Sequence, residues 1–239
     1  MLEHVLNLGN QLKTDLDTSE GFTSVDYEKI VIVGMGGSGV AGDVLKLILN
    51  QYTNIDVEVR KTYNLTKTQI AARPFCLFIS YSGNTEETIS AAKNAIDENL
   101  EWAAISSGGE LLDLASKHNK KFVKVPDGLQ PRAAFGLMTK AVVNYLPNQT
   151  KKIFINACEE AGNYLNNLTE DLSNEVFEIS KKIANQIGLK TAVIYAGSDL
   201  TYLVAQRWKT QINENSKSKA YVGFMPEVHH NEILSWEAD

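Results

Sequence analysis

Two strand-to-loop junctions constrain this chain more than any other feature. Val31-Ile-Val-Gly-Met-Gly-Gly-Ser-Gly39 runs an apolar strand into a glycine loop. Leu77-Phe-Ile-Ser-Tyr-Ser-Gly-Asn-Thr-Glu-Glu87 runs a second apolar strand into a loop of hydroxyls. A helix-like pattern follows each, so both loops belong at the carboxyl ends of parallel strands, where open α/β sheets take their ligands. The first loop offers bare backbone N–H groups, and the second offers Ser80, Ser82 and Thr85. Free N–H groups at a helix start, joined by neutral hydroxyl donors, suit a phosphate. Neither loop contains lysine or arginine, which favours a small phosphorylated metabolite held by dipoles over a polyanion held by charge.

The rest of the first half repeats the same grammar. Strand signals fall at Lys29–Val33, Asp56–Arg60, Phe75–Ser80, Trp102–Ile105 and Lys121–Val125. Helix-like segments separate them at Val40–Gln51, Thr85–Glu98 and Glu110–His118. This alternation with short loops predicts a doubly wound parallel sheet in a three-layer α/β/α arrangement. Leu2, Val5, Leu6, Leu12 and Leu16 recur at helical spacing and predict an N-terminal helix covering one sheet face. Pro126 and Gly128 open a loop, and Ala133–Tyr145 reads as a helix.

Leu146-Pro-Asn-Gln-Thr150 reads as a boundary, giving an N-terminal domain over 1–147 and a second over 148–239. Two helices are predicted next, at Ile153–Asn166 and Leu172–Ile187. Then Thr191-Ala-Val-Ile-Tyr-Ala-Gly-Ser198 repeats strand, glycine and serine, with a helix to about Asn215 and a further strand at Ala220–Phe224. The pattern predicts two related α/β units in tandem. The second is short: two or three strands make a poor independent sheet.

Composition narrows the partners. A net charge of −6 argues against non-specific binding to nucleic acid or anionic membranes. No apolar run approaches membrane-spanning length, and Met1–Leu8 lacks the basic and apolar regions of a signal peptide. A cytoplasmic location is the expectation. Of the two cysteines, Cys76 adjoins a core strand and Cys158 lies in a helical segment; two buried thiols are expected.

Gly36-Gly-Ser-Gly39 with Ser80-Tyr-Ser-Gly-Asn-Thr-Glu-Glu87 resembles the sugar isomerase (SIS) domain superfamily. Three further segments narrow the resemblance: Gln130-Pro-Arg-Ala-Ala-Phe-Gly136, Gln211-Ile-Asn-Glu-Asn-Ser-Lys217 and Pro226-Glu-Val-His-His-Asn-Glu-Ile233. Together they resemble the bifunctional phosphoglucose/phosphomannose isomerases, which are built from two SIS units. Members of that family continue past the point where this chain stops, so the resemblance implies an incomplete second unit.

The resemblance implies aldose–ketose isomerisation of hexose 6-phosphates through an enediolate, without cofactor or metal, in a homodimer with shared active sites. Gly37, Ser38, Ser80, Ser82 and Thr85 then hold the substrate phosphate. Thr85 also stands where a helix N-cap belongs. Glu214 becomes the base, Arg132 the stabiliser of the enediolate, and His230 the group that opens the sugar ring. A glutamate near a helix end is ordinarily solvated, and only the resemblance selects Glu214. His229 is the neighbouring rival, and the family's pattern of His directly before Asn-Glu selects His230. A zinc site there is disfavoured, since adjacent histidines seldom both point inward.

Two other readings compete. Gly34-x-Gly36-x-x-Gly39 also fits a dinucleotide fingerprint, with Arg60 and Lys61 placed to suit an NADP phosphate. Against it, the hydroxyl loop would occupy the path of the nicotinamide half. The other is a sugar-phosphate-binding module without catalysis.

Overall fold

Adjacent residues of the central strands point to opposite faces of a sheet, and here both faces are apolar. Ile30 and Ile32 enter one core cluster while Val31 and Val33 enter another. Leu77 and Ile79 divide from Cys76 and Phe78 in the same way. Such strands need helices on both sides. The computed structural model describes residues 2–19, 27–172 and 174–236, and it has that architecture.

The chain divides by packing into two units, Met1–Asn167 and Leu168–Asp239. In the first, α1 (Leu2–Leu6) and α2 (Leu8–Lys13) lead into a two-residue strand β1 (Asp17–Thr18). There follow β2 (Lys29–Gly34), α3 (Gly36–Tyr52), β3 (Asp56–Arg60), α4 (Lys67–Ala71), β4 (Phe75–Ile79), α5 (Glu86–Asp97), β5 (Trp102–Ser106), α6 (Gly109–Lys117) and β6 (Lys121–Lys124). A 3₁₀ turn (Pro131–Ala133), α7 (Phe135–Val142) and a second 3₁₀ turn (Val143–Tyr145) precede the long α8 (Asn148–Glu170).

The sheet order is β1-β6-β5-β4-β2-β3, all parallel except β1, which pairs antiparallel with β6. From β2 the chain crosses outward to β3, and from β4 it crosses the opposite way to β5. The carboxyl ends of β2 and β4 therefore flank a topological switch point, the crevice where such sheets bind ligands. Gly34 pairs in register with Ile79, so the glycine loop and the hydroxyl loop begin side by side. Ala41, Leu45 and Leu49 of α3 and Leu137, Met138 and Ala141 of α7 fill one face, with Leu12 of α2. Ile89, Ala92 and Ala95 of α5 and Leu111 and Ala115 of α6 fill the other.

The second unit has α9 (Glu175–Ile187), β7 (Ala192–Ala196), α10 (Asp199–Gln211), one turn of π-helix (Ile212–Ser216) and β8 (Ala220–Phe224). Two short 3₁₀ turns end it, Glu227–His230 and Glu232–Trp236. β7 and β8 form a two-stranded parallel sheet. Val193, Ile194 and Tyr195 stay only half-buried, and Leu200, Val204, Trp208 and Tyr221 are exposed.

Several elements differ from the sequence reading. The helix expected from Val40 begins at Gly36, because glycines that look like loop form its first turn. The N-terminal helix is two short helices followed by a strand, and Ala133–Tyr145 is a short α-helix between two 3₁₀ turns. The expected boundary at 147/148 becomes the start of α8, and the two units part at 167/168. Most of α8 packs on the first unit. Lys13 Nζ donates to Asn163 Oδ1 at 2.6 Å, and Gly162 lies so close to Gly9 that a Cβ on Gly9 would stand 2.5 Å from the Gly162 carbonyl oxygen. Both cysteines are free and buried, and burial pushes the Cys76 thiol up to about 12.

Candidate functional site

The first turn of an α-helix has N–H groups without intrahelical partners. In α3 those belong to Gly36, Gly37 and Ser38, and no acidic residue stands in that turn. Gly36 takes φ +51, which a glycine adopts without strain. A Cβ on Gly34 would meet the Ile79 carbonyl oxygen at 2.9 Å, so glycine here lets the two strand ends close together. The aligned helix dipole adds partial positive charge at this end, which is what an anion requires where no cationic side chain is supplied.

The hydroxyl loop is wired to this turn. Ser38, only 6% exposed, accepts the Tyr81 backbone N–H at 3.1 Å. Ser80 is fully buried; its hydroxyl pairs with that of Thr85 at 2.8 Å and accepts the Gly83 N–H at 3.1 Å. Thr85 occupies the N-cap position of α5, yet its hydroxyl turns to Ser80 and makes no cap bond. The first-turn N–H groups of α5 are thus left to another acceptor. Ser82 is exposed and accepts the Asn84 N–H at 3.3 Å.

Arg132 sits in the 3₁₀ turn Pro131–Ala133, which lies against the start of α3. A Cβ on Gly37 would stand 3.1 Å from the Pro131 carbonyl oxygen. In the first unit the fold therefore gathers Gly37, Ser38, Ser80, Ser82, Thr85 and the turn bearing Arg132 around the switch point.

Glu214 and His230 lie in the second unit. Glu214 is half-buried in the π turn that ends α10, a helical irregularity frequent at functional sites. Its charge favours the protonated guanidinium of Arg207, whose pKa burial lowers. Gln211, with its amide oriented to suit its neighbours, accepts from both Arg207 terminal nitrogens at 2.7 and 3.1 Å. His229 and His230 are both exposed on the 3₁₀ turn after β8.

The connections put Glu214 and His230 beyond opposite ends of β8. α10 starts beyond the carboxyl end of β7 and returns to the amino end of β8, where Asn213 Nδ2 donates to the Ser218 carbonyl at 2.8 Å. The His230 turn follows the carboxyl end of β8, where the Met225 N–H donates to the Ala196 carbonyl at 2.8 Å. Five residues of β8 separate the two ends, roughly 16 Å of strand.

Three residues to which the sequence reading gave no role brace the site. Tyr81 donates its hydroxyl to the Pro126 carbonyl at 2.9 Å and accepts the Leu129 N–H at 3.0 Å, anchoring the loop that leads to Arg132. Asn84 Oδ1 accepts the Glu110 N–H at 3.0 Å, locking the hydroxyl loop to the start of α6. Gln11 of α2 reaches the backbone on both sides of Ala134. The one signal available in sequence was for Gln11, a polar residue beside Leu12 of the apolar stripe. Arg60 and Lys61, the cations a dinucleotide reading would need, are ion-paired with Glu58 and Asp43.

The SIS domain family matches residues 25–125, and the bacterial phospho-glucose isomerase C-terminal SIS domain family matches residues 178–239. The bifunctional phosphoglucose/phosphomannose isomerase of Caldicellulosiruptor bescii is 34% identical over all of this chain and 72% of its own length. The protein of the same name from Aquifex aeolicus is 39% identical over 88% of this chain and 62% of its own length. Among solved structures, the C-terminal domain of glucosamine-fructose-6-phosphate aminotransferase from Francisella tularensis shares the fold. Its TM-score is 0.66 at 16% identity, covering 98% of this chain and 72% of that one.

Proposed function

The chain belongs to the bifunctional phosphoglucose/phosphomannose isomerase family, enzymes acting on hexose 6-phosphates, and we propose how its residues divide the work. The 6-phosphate sits across the switch point, held by the N–H groups of Gly37 and Ser38 and by the hydroxyls of Ser80, Ser82 and Thr85. The observation that carries this is the side-by-side start of the two loops, fixed by the Gly34–Ile79 register.

Glu214 moves the proton between C2 and C1. A carboxylate suits this step when partly withdrawn from water, and Glu214 is half-buried. Arg132 stabilises the negative oxygen of the enediolate, a preorganised cation facing developing charge. His230 exchanges a proton with the ring oxygen as the pyranose opens, a task that suits imidazole at neutral pH. The active form is a homodimer in the cytoplasm. Glu214 and His230 of one site come from different subunits, a reading supported by their places beyond opposite ends of β8.

The test is nuclear magnetic resonance of glucose 6-phosphate in D₂O with the protein. Protein-dependent deuterium incorporation at C2 is expected. Phosphate-competitive binding of glucose 6-phosphate without exchange would make the chain a sugar-phosphate-binding module instead.

A further inference from the structure

We infer that Gln11 is a positioning residue for catalysis, holding the turn that presents Arg132 beside the phosphate loops. The inference rests on the role proposed above for Arg132. Gln11 lies on α2, is 2% exposed, and spends its side chain on backbone more than a hundred residues away. Its Nε2 donates to the Ala133 carbonyl at 2.9 Å. Its Oε1 accepts the Gly136 N–H at 3.1 Å and the Leu137 N–H at 3.4 Å.

Those two acceptor bonds satisfy the start of α7, whose N-cap residue, Ala134, has no side chain able to do it. Taken alone they would make Gln11 a structural cap supplied from another helix. The donor bond does something different. Ala133 is the last residue of the 3₁₀ turn that carries Arg132, and Pro131, its first, rests against Gly37. Arg132 is therefore held from both sides, by the phosphate loop before it and by Gln11 after it. Gly136 permits this approach: a Cβ there would stand 2.7 Å from the Gln11 Cβ.

A cation that stabilises an enediolate must be in place before the charge develops, since reorienting it during the reaction forfeits the gain. Loosening the turn should leave phosphate binding intact and slow turnover, because the clamp lies on other loops. Gln11→Met preserves the bulk and removes every polar bond. We expect kcat for isomerisation to fall about tenfold, as a small misplacement of a catalytic group does, with the inhibition constant of inorganic phosphate unchanged. Gln11→Glu keeps the acceptors for Gly136 and Leu137 and, when protonated, a donor for Ala133; part of the lost kcat should return, more of it at lower pH.

Two comparisons complete the experiment. Arg132→Ala must itself lower kcat, and Gln11→Met combined with Arg132→Ala should be no slower than Arg132→Ala alone. If Arg132→Ala is unimpaired, the role of Arg132 falls and the inference with it. If Arg132→Ala is slow but Gln11→Met turns over normally, or the two losses multiply, Arg132 keeps its role and Gln11 is only a cap. Should Gln11→Met fail to fold, the kcat of Gln11→Glu across pH decides: a flat ratio to the parent protein overturns the inference.

Discussion

Ser80 and Ser82 are two positions apart and do different jobs. Ser80 is fully buried, bonded to Thr85 and Gly83, and so shapes the loop. Ser82 is exposed and its hydroxyl oxygen accepts the Asn84 N–H. Ser80→Ala is predicted to lower folding stability by about 0.5–1.5 kcal/mol, the net worth of a typical hydrogen bond. Ser82→Ala is predicted to leave stability unchanged and to weaken hexose 6-phosphate binding by about 1–3 kcal/mol, as for a lost bond to a charged group. Urea unfolding and calorimetry read the two effects separately. A destabilised Ser82→Ala with normal binding would reverse the assignment.

At the scale of elements, the hydroxyl loop is braced because β4, β5 and their helices interlock at the carboxyl ends of the strands. The Leu111 N–H donates to the Gly83 carbonyl at 2.9 Å, and Ser107 Oγ donates to the Tyr81 carbonyl at 2.6 Å. Gly83 takes φ +71, and a Cβ there would run into the Gly108 carbonyl. Gly108 faces open space from extended backbone, with nothing within 4 Å of an added Cβ. Gly83→Ala should therefore destabilise by more than about 1 kcal/mol and abolish phosphate binding. Gly108→Ala is expected to do neither. Thermal unfolding with and without inorganic phosphate compares the pair, and equal behaviour would mean that the interlock does not set the loop.

At the scale of the whole molecule, the prediction concerns assembly. Glu214→Gln is expected to bind substrate and lose about 10²–10⁴-fold in turnover, the usual share of general base catalysis. His230→Ala should also be impaired. Mixed under conditions of subunit exchange, the two proteins should regain activity, because one of the two sites in a mixed dimer has both residues intact. Light scattering establishes the dimer, and mass spectrometry establishes the exchange. Exchange without recovered activity would place Glu214 and His230 of one site in the same subunit.

Local pattern was enough for the parallel sheet and its loops. Asp56–Arg60 and Ala220–Phe224 are strands with the ends that their flanking turns predict, because alternation and turn chemistry act over a few residues. The grouping of Ser80, Ser82 and Thr85 was legible for the same reason, since they lie in one loop. The role proposed for Glu214 comes only from family resemblance; nothing near it in sequence separates it from a solvated surface glutamate. Gln11 was not legible as a brace, because its partners lie 122 to 126 positions away and only the docking of α2 on α7 brings them within reach. Likewise, the 147/148 boundary looked sound from Pro147 and its polar neighbours, yet the packing of Gly162 against Gly9 carries α8 into the first unit. Periodicity tells a residue which face is apolar. Which distant backbone meets that face is decided by topology, and there the tertiary structure alone has the answer.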